Sequence, residues 1–98
     1  MSFQCISVNE AKKLIDENNL TIIDIRDYNS FSQGHIDNAI HVEDLNIDSF
    51  INNKNKSEAI LIYCYHGNSS KSAANFFIQN GFDKVFSMDE GYSGWIKN

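Results

Sequence analysis

Proline is missing altogether from these 98 residues, so no helix or strand is interrupted by one. Cysteine is scarce. Cys5 and Cys64 are the only two, their spacing fits no metal motif, and a small cytoplasmic domain ordinarily keeps its thiols reduced. Neither a metal site nor a disulfide framework is expected. Cys5, in a short apolar run, is expected to pack as a small hydrophobe. No apolar run approaches the ~20 residues that span a bilayer. The start, Met1 to Cys5, lacks a basic head followed by an apolar stretch, so no signal peptide is expected and the cytoplasm is the default location. Basic clusters are lacking too. Eight Lys and Arg stand against 13 Asp and Glu, a net charge of −5, which argues against a nucleic-acid partner. An anionic substrate must then be drawn by a local field. Repeats, linkers and low-complexity segments are absent.

What is present is an ordinary globular composition, 42% hydrophobic and 21% charged, enough for one modest core in one domain. Phe3 to Ile6 reads as a short edge strand. Ser7-Val-Asn-Glu10 is a capping box, and Val8, Ala11, Leu14 and Ile15 then recur at helical spacing as far as Asn18-Asn19. Leu20 to Ile25 is a nearly continuous apolar, β-branched run, as in a strand buried on both faces of a parallel sheet. Asp24 interrupts it and needs donors, because burying a carboxylate unpaired is costly. Asp27 to Gln33 predicts a short helical turn stopped by Gly34. Ala39 to Val42 predicts a strand, and Asp44 to Asn53 a helix with Leu45, Ile47, Phe50 and Ile51 inward. Ala59 to Tyr63 is a second buried strand, followed by a polar loop and a helix that ends at Gly81. Val85 to Ser87 predicts the last strand, and Gly91 to Lys97 a closing helix with Trp95 inward. Strands alternating with helices imply right-handed crossovers and an α/β fold, a parallel sheet covered on both faces.

Cys64 stands where a strand hands over to a helix, the end of an open α/β sheet at which ligands bind. Thiolate is the reactive form of cysteine, and a thiol pKa of about 8.5 falls when backbone N–H groups or a helix N-terminus face the sulfur. Gly67 and Asn68 tolerate unusual backbone angles, so the loop can curl and turn successive N–H groups inward as a nest for an anion. Ser69 and Ser70 add hydroxyl donors and can cap the helix. Lys71 puts a cation at a helix start, where the dipole does not favour it, which points to service of a bound anion. The loop is suited to a negative charge on, or attached to, Cys64.

Cys64-Tyr-His-Gly-Asn-Ser-Ser-Lys71 resembles the active loop of the single-domain rhodaneses, closely that of the GlpE-type thiosulfate sulfurtransferases. Ile23-Asp24-Ile25-Arg26 resembles the family's strand ending in Asp-x-Arg. Gly34-His-Ile-Asp-Asn-Ala-Ile40 is similar to its Gly-His-Ile-x-x-Ala motif. Glu90-Gly-Tyr-Ser-Gly-Trp95 is similar to its closing Gly-Gly-x-x-x-Trp, with Glu90 in place of the first glycine. The four motifs run in the family's order over nearly the whole chain. The resemblance implies a single rhodanese domain over residues 1–98. Its sheet would be five-stranded and mostly parallel, with helices on both faces and the Cys64 strand near the middle.

The resemblance also implies a ping-pong transfer in which Cys64 takes a sulfur from thiosulfate as a persulfide and passes it to a thiophilic acceptor. That acceptor is cyanide in an assay, or a dithiol protein such as thioredoxin in a cell. No metal or organic cofactor is implied. Tyr65, His66, Gly67, Asn68, Ser69, Ser70 and Lys71 form the expected substrate-binding loop. Many family loops carry an arginine where this one has Asn68 or Ser69. His66 either tunes charge near the sulfur or projects into solvent. Asp24 and Arg26 are expected as a structural pair, and His35 as a fold-holding histidine whose ring bonds backbone. A cysteine phosphatase is disfavoured, because the position six after Cys64 is Ser70 where that chemistry needs arginine, and the loop is one residue short of the seven in rhodanese-like phosphatases. A persulfide carrier or docking module shares the nucleophile and stays open. A module that only binds protein fits poorly with an intact cysteine loop.

Overall fold

The computed structural model describes residues 2–17 and 19–97. Ser7 and Glu10 form the reciprocal cap that starts helix α1 (Val8–Glu17): the Ser7 N–H donates to Glu10 Oε1 at 2.9 Å, and the Glu10 N–H to Ser7 Oγ at 3.1 Å. Of the expected helix stop at Asn18-Asn19, Asn18 lies outside the described residues. Strand β1 (Gln4–Ile6) precedes α1, and β2 (Leu20–Asp24) follows it. Asp27 caps α2 (Tyr28–Gln33) by accepting the Ser30 N–H, and Gly34 closes that helix. Next come β3 (Ile40–His41), α3 (Ile47–Asn53), β4 (Ala59–Tyr63), α4 (Ser69–Gln79), β5 (Val85–Met88) and α5 (Gly91–Lys97).

The five strands lie in the order β1-β5-β4-β2-β3, and every neighbouring pair is parallel. β4 is therefore the middle strand. Its side chains alternate between two cores. Leu61 and Tyr63 join Ile6, Val8, Ala11, Ile22 and Met88 on the side of α1 and α5, while Ile60 and Ile62 join Phe50, Ala74, Phe77 and Val85 on the side of α3 and α4. All four are fully buried, which is why the strand reads as a continuous apolar run and not as an alternating one.

Two expectations need correction. The helix expected from Asp44 to Asn53 is split. Val42–Asp44 forms a single 3-10 turn capped by His41, the chain extends through Leu45, and α3 starts only after Asn46, whose side chain accepts the Ser49 N–H. An Asn able to cap ended one element and began another inside what looked like one periodic segment. Cys5 is exposed. β1 is a three-residue edge strand, and only Ile6 of it is buried.

Candidate active site

β4 ends at Tyr63, so Cys64 leaves the middle of the sheet at its carboxyl edge. The next turn is built to bring donors back to the sulfur. Gly67 sits at φ +94°, and an added Cβ would come within 3.1 Å of the Glu90 backbone nitrogen. Glycine thus allows both the left-handed turn and the close approach. On the outer side, the first N–H groups of α5 hold the loop's carbonyls: Tyr92 N–H donates to Cys64 O at 2.8 Å and Ser93 N–H to Tyr65 O at 3.1 Å. Gly91 permits this contact, since a Cβ there would lie 2.4 Å from Cys64 O. With its carbonyls engaged outward, the loop offers N–H groups inward.

The Gly67 N–H reaches Cys64 Sγ at 3.2 Å and the Ser70 N–H at 3.4 Å, with Ser70 Oγ 3.5 Å away. Burial pushes the thiol up. The Ser70 hydroxyl, the N–H groups of Ser70 and Gly67, and that of His66 together outweigh it, and the thiol lies below its ordinary value. Cys64, Tyr65, His66, Asn68 and Ser69 line a cavity of about 130 Å³, well under the ~300–1,000 Å³ of pockets for drug-sized ligands. It suits a small anion. A larger cavity of about 500 Å³ between Lys12, His35, Asn38 and Trp95 has no cysteine in its lining, so the thiol and the largest of these spaces do not coincide.

The remaining loop residues differ in where they point. Tyr65 is 42% exposed. Its hydroxyl donates to Ser30 Oγ at 2.7 Å, because Ser30 spends its own proton on Asp27. His66 is exposed, with Nδ1 3.1 Å from Ser93 Oγ. Ser69 and Ser70 do not cap α4 through their hydroxyls. Asn68 occupies the cap position without a side-chain bond, and the buried Ser70 hydroxyl turns toward the sulfur instead. Lys71 is exposed and is not part of the cavity lining.

Beside the loop, at the end of β2, Asp24 and Arg26 are both buried and paired. The guanidinium Nη2 lies 2.8 Å from Asp24 Oδ2 and donates at 2.6 Å to Gly34 O. The Arg26 guanidinium also lies 4.1 Å from the centre of the Tyr92 ring. Burial works against the Arg26 charge and Asp24 outweighs it, holding the guanidinium above its usual value. Tyr63 joins the cluster, accepting the Ile36 N–H at 3.2 Å, and burial pushes its phenol up. His35 is exposed, with Nδ1 2.8 Å from Phe31 O and its ring stacked on Phe31. The more deeply held histidine is one the sequence did not single out. His41 is buried, with Nε2 donating to Arg26 O and Nδ1 accepting from the Glu43 N–H. Its place in a strand next to Ile40 gives no signal in the sequence until the register brings Arg26 O to its ring. Tyr63, Tyr92 and Ser87 were likewise missed, because only strand register and helix docking bring them to the site.

Among the described residues no group of three or more His, Cys, Asp and Glu comes together to hold a metal ion. No helix is long and apolar enough to cross a membrane.

Known proteins align with this geometry. The rhodanese-like domain family matches residues 7–98. The thiosulfate sulfurtransferase GlpE of Shewanella oneidensis is 40% identical over 94 residues, covering 96% of this chain and 93% of its own. The solution structure of a rhodanese-like domain from Anabaena superposes with a TM-score of 0.81 at 28% identity, covering 99% of this chain and 75% of that one. The crystal structure of a rhodanese-like domain protein from Staphylococcus aureus gives 0.75 at 26% identity, covering 94% and 90%. The family match spans nearly the whole chain, and the chain belongs to the rhodanese-like domain family.

Proposed function

We propose that this sulfurtransferase takes its sulfur from thiosulfate and carries it on Cys64. In the first step the Cys64 thiolate attacks the outer sulfur of thiosulfate. A bond forms between Sγ and that sulfur, the sulfur–sulfur bond of thiosulfate breaks, and its electron pair leaves with sulfite. The persulfide keeps one negative charge on its terminal sulfur. In the second step a thiophile, cyanide in an assay or a dithiol protein in the cytoplasm, attacks the terminal sulfur and returns Cys64 as thiolate. Charge stays anionic at the same place through both steps, so preorganised N–H donors serve the free enzyme and the intermediate alike.

The observation that carries this reading is the pair of backbone N–H groups, from Gly67 and Ser70, directed at Cys64 Sγ at the mouth of a cavity of about 130 Å³. Asn68 and Ser69 line that cavity, and α4 begins there with its dipole's positive end toward the sulfur. The test is an intact-mass spectrum before and after brief incubation with thiosulfate. A gain of one sulfur atom is expected, reversed by cyanide and absent in Cys64→Ser. No gain in the unmodified protein discards thiosulfate as donor. It would favour a second reading, a persulfide carrier loaded by another protein. The exposed Tyr65 at the rim supports docking of such a partner.

A further inference from the structure

Ser87 takes no part in the sequence motifs, yet it is completely buried beneath the catalytic loop. Register explains how it gets there. Along β5, Val85 packs on the α3–α4 side and Phe86 and Met88 on the α1–α5 side. Ser87 therefore faces α4, opposite Ile62 of β4. Its hydroxyl lies 2.8 Å from the hydroxyl of Ser70, also fully buried, and Ser70 Oγ lies 3.5 Å from Cys64 Sγ.

We propose that Ser87 is a positioning residue, whose hydroxyl directs the proton of Ser70 onto the Cys64 sulfur and so favours the anionic form of that sulfur. Among the described residues, the Ser87 hydroxyl has one side-chain partner, Ser70. A buried hydroxyl proton left without an acceptor is costly, so Ser87 donates to Ser70 Oγ. The single proton of Ser70 then has one acceptor left, the sulfur. That order suits an anionic sulfur best, because a thiolate accepts more strongly than a thiol and brings no S–H of its own to the Ser70 hydroxyl. With a neutral thiol, the S–H would compete for Ser70 Oγ, Ser70 would turn its proton to Ser87, and the Ser87 proton would have nowhere to go. The titratable and charged groups around the loop are Tyr65, His66, Lys71, Asp89, Glu90 and Arg26, and none of them hydrogen-bonds to either serine among the described residues.

This inference deepens the sulfur-transfer reading, but its test does not depend on thiosulfate. The pH dependence of iodoacetamide alkylation of Cys64 reports how readily the thiolate forms. Ser87→Ala is expected to move that profile to higher pH and to slow alkylation at neutral pH by about threefold, the lower end of what one ordinary net hydrogen bond contributes. The same substitution made in Ser70→Ala protein is expected to add nothing, because Ser87 acts only through Ser70. Ser87→Thr, which keeps the hydroxyl, is expected to restore the profile. A profile unmoved by Ser87→Ala, or moved equally in both backgrounds, overturns the assignment even if the variant melts at a lower temperature. In the unmodified protein, the Ser87 13Cβ resonance is expected to titrate together with the Cys64 thiol. A Ser87 resonance that stays still through that titration also overturns it. Absence of sulfur uptake from thiosulfate, with these shifts present, would sink the proposed donor and leave the relay standing.

Discussion

Two strands end side by side at the carboxyl edge of the sheet, with Asp24 of β2 in register with Tyr63 of β4, and they close in opposite ways. β2 ends in full charges that cancel each other: Asp24 and Arg26 are buried, bidentate and braced by Gly34 O and the Tyr92 ring. β4 ends in a loop without an Asp, Glu, Lys or Arg between Cys64 and Ser70, where backbone N–H groups and a hydroxyl converge on one sulfur. The first arrangement is closed, since each charge already has its partner. The second is open, because its donors outnumber what a neutral thiol can use. Buried charge at a sheet edge thus acts as a fastener for the 34–36 segment and for α5, while reactivity is placed where charge is supplied by ionisation and substrate.

The largest effect that tests this contrast is on the closed side. Asp24→Ala leaves the Arg26 guanidinium, whose side chain is 4% exposed, buried without its counter-ion. Breaking such a pair costs about 3–5 kcal/mol. The expected result is a marked fall in the urea midpoint, while the folded fraction still alkylates at Cys64. Loss of thiol reactivity at unchanged stability would show that the pair acts on the loop's chemistry and would break the contrast.

A smaller effect is expected from Gly67→Ala on the open side. An alanine at φ +94° costs about 1–2 kcal/mol, and its Cβ presses on the Glu90 nitrogen, so the Gly67 N–H is pulled off the sulfur. The sign of the pH effect follows from the lowered thiol. Thiolate reactivity, and the stability it contributes, are fully present above the unfolded-state value and are lost as pH falls through the lower folded value. In Gly67→Ala the alkylation midpoint is expected to rise toward that of an ordinary thiol, with several-fold slower reaction at neutral pH. An unchanged midpoint would mean that the helix start and Ser70 alone set the thiol.

These two sides were not equally legible. The strand and helix alternation could be read because β2 and β4 are unbroken apolar runs and because Ser7, Gly34 and Gly81 mark helix ends by local chemistry. The loop was legible because its parts are consecutive in the chain. The 42–53 segment was not, since its apolar spacing continues across Asn46 and masks the capping side chain that marks the break. Nor was the exposure of Cys5, which depends on β1 lying at the edge. Ser87 and His41 were invisible for a third reason: an inward-facing polar residue in a short strand signals nothing until register supplies the partner.

The smallest predicted effect concerns Lys71, which the sequence put forward as an anion-binding cation. Its side chain is exposed in the third residue of α4 and does not line the cavity. If neutral donors make the site, Lys71 contributes only a long-range field that solvent and salt screen over about 8–10 Å. Lys71→Gln is then expected to slow alkylation by iodoacetamide, a neutral reagent, by less than about twofold. Reaction with a negatively charged reagent such as iodoacetate should suffer somewhat more, because the cation attracts it, and that excess should vanish at about 1 M salt. Loading by thiosulfate should follow the charged reagent. A tenfold loss with both reagents, persisting in salt, would instead place the ammonium in direct contact with the reacting sulfur. The open side would then need a full charge after all, and the contrast with Asp24 and Arg26 would reduce to whether the counter-ion is a side chain or a substrate.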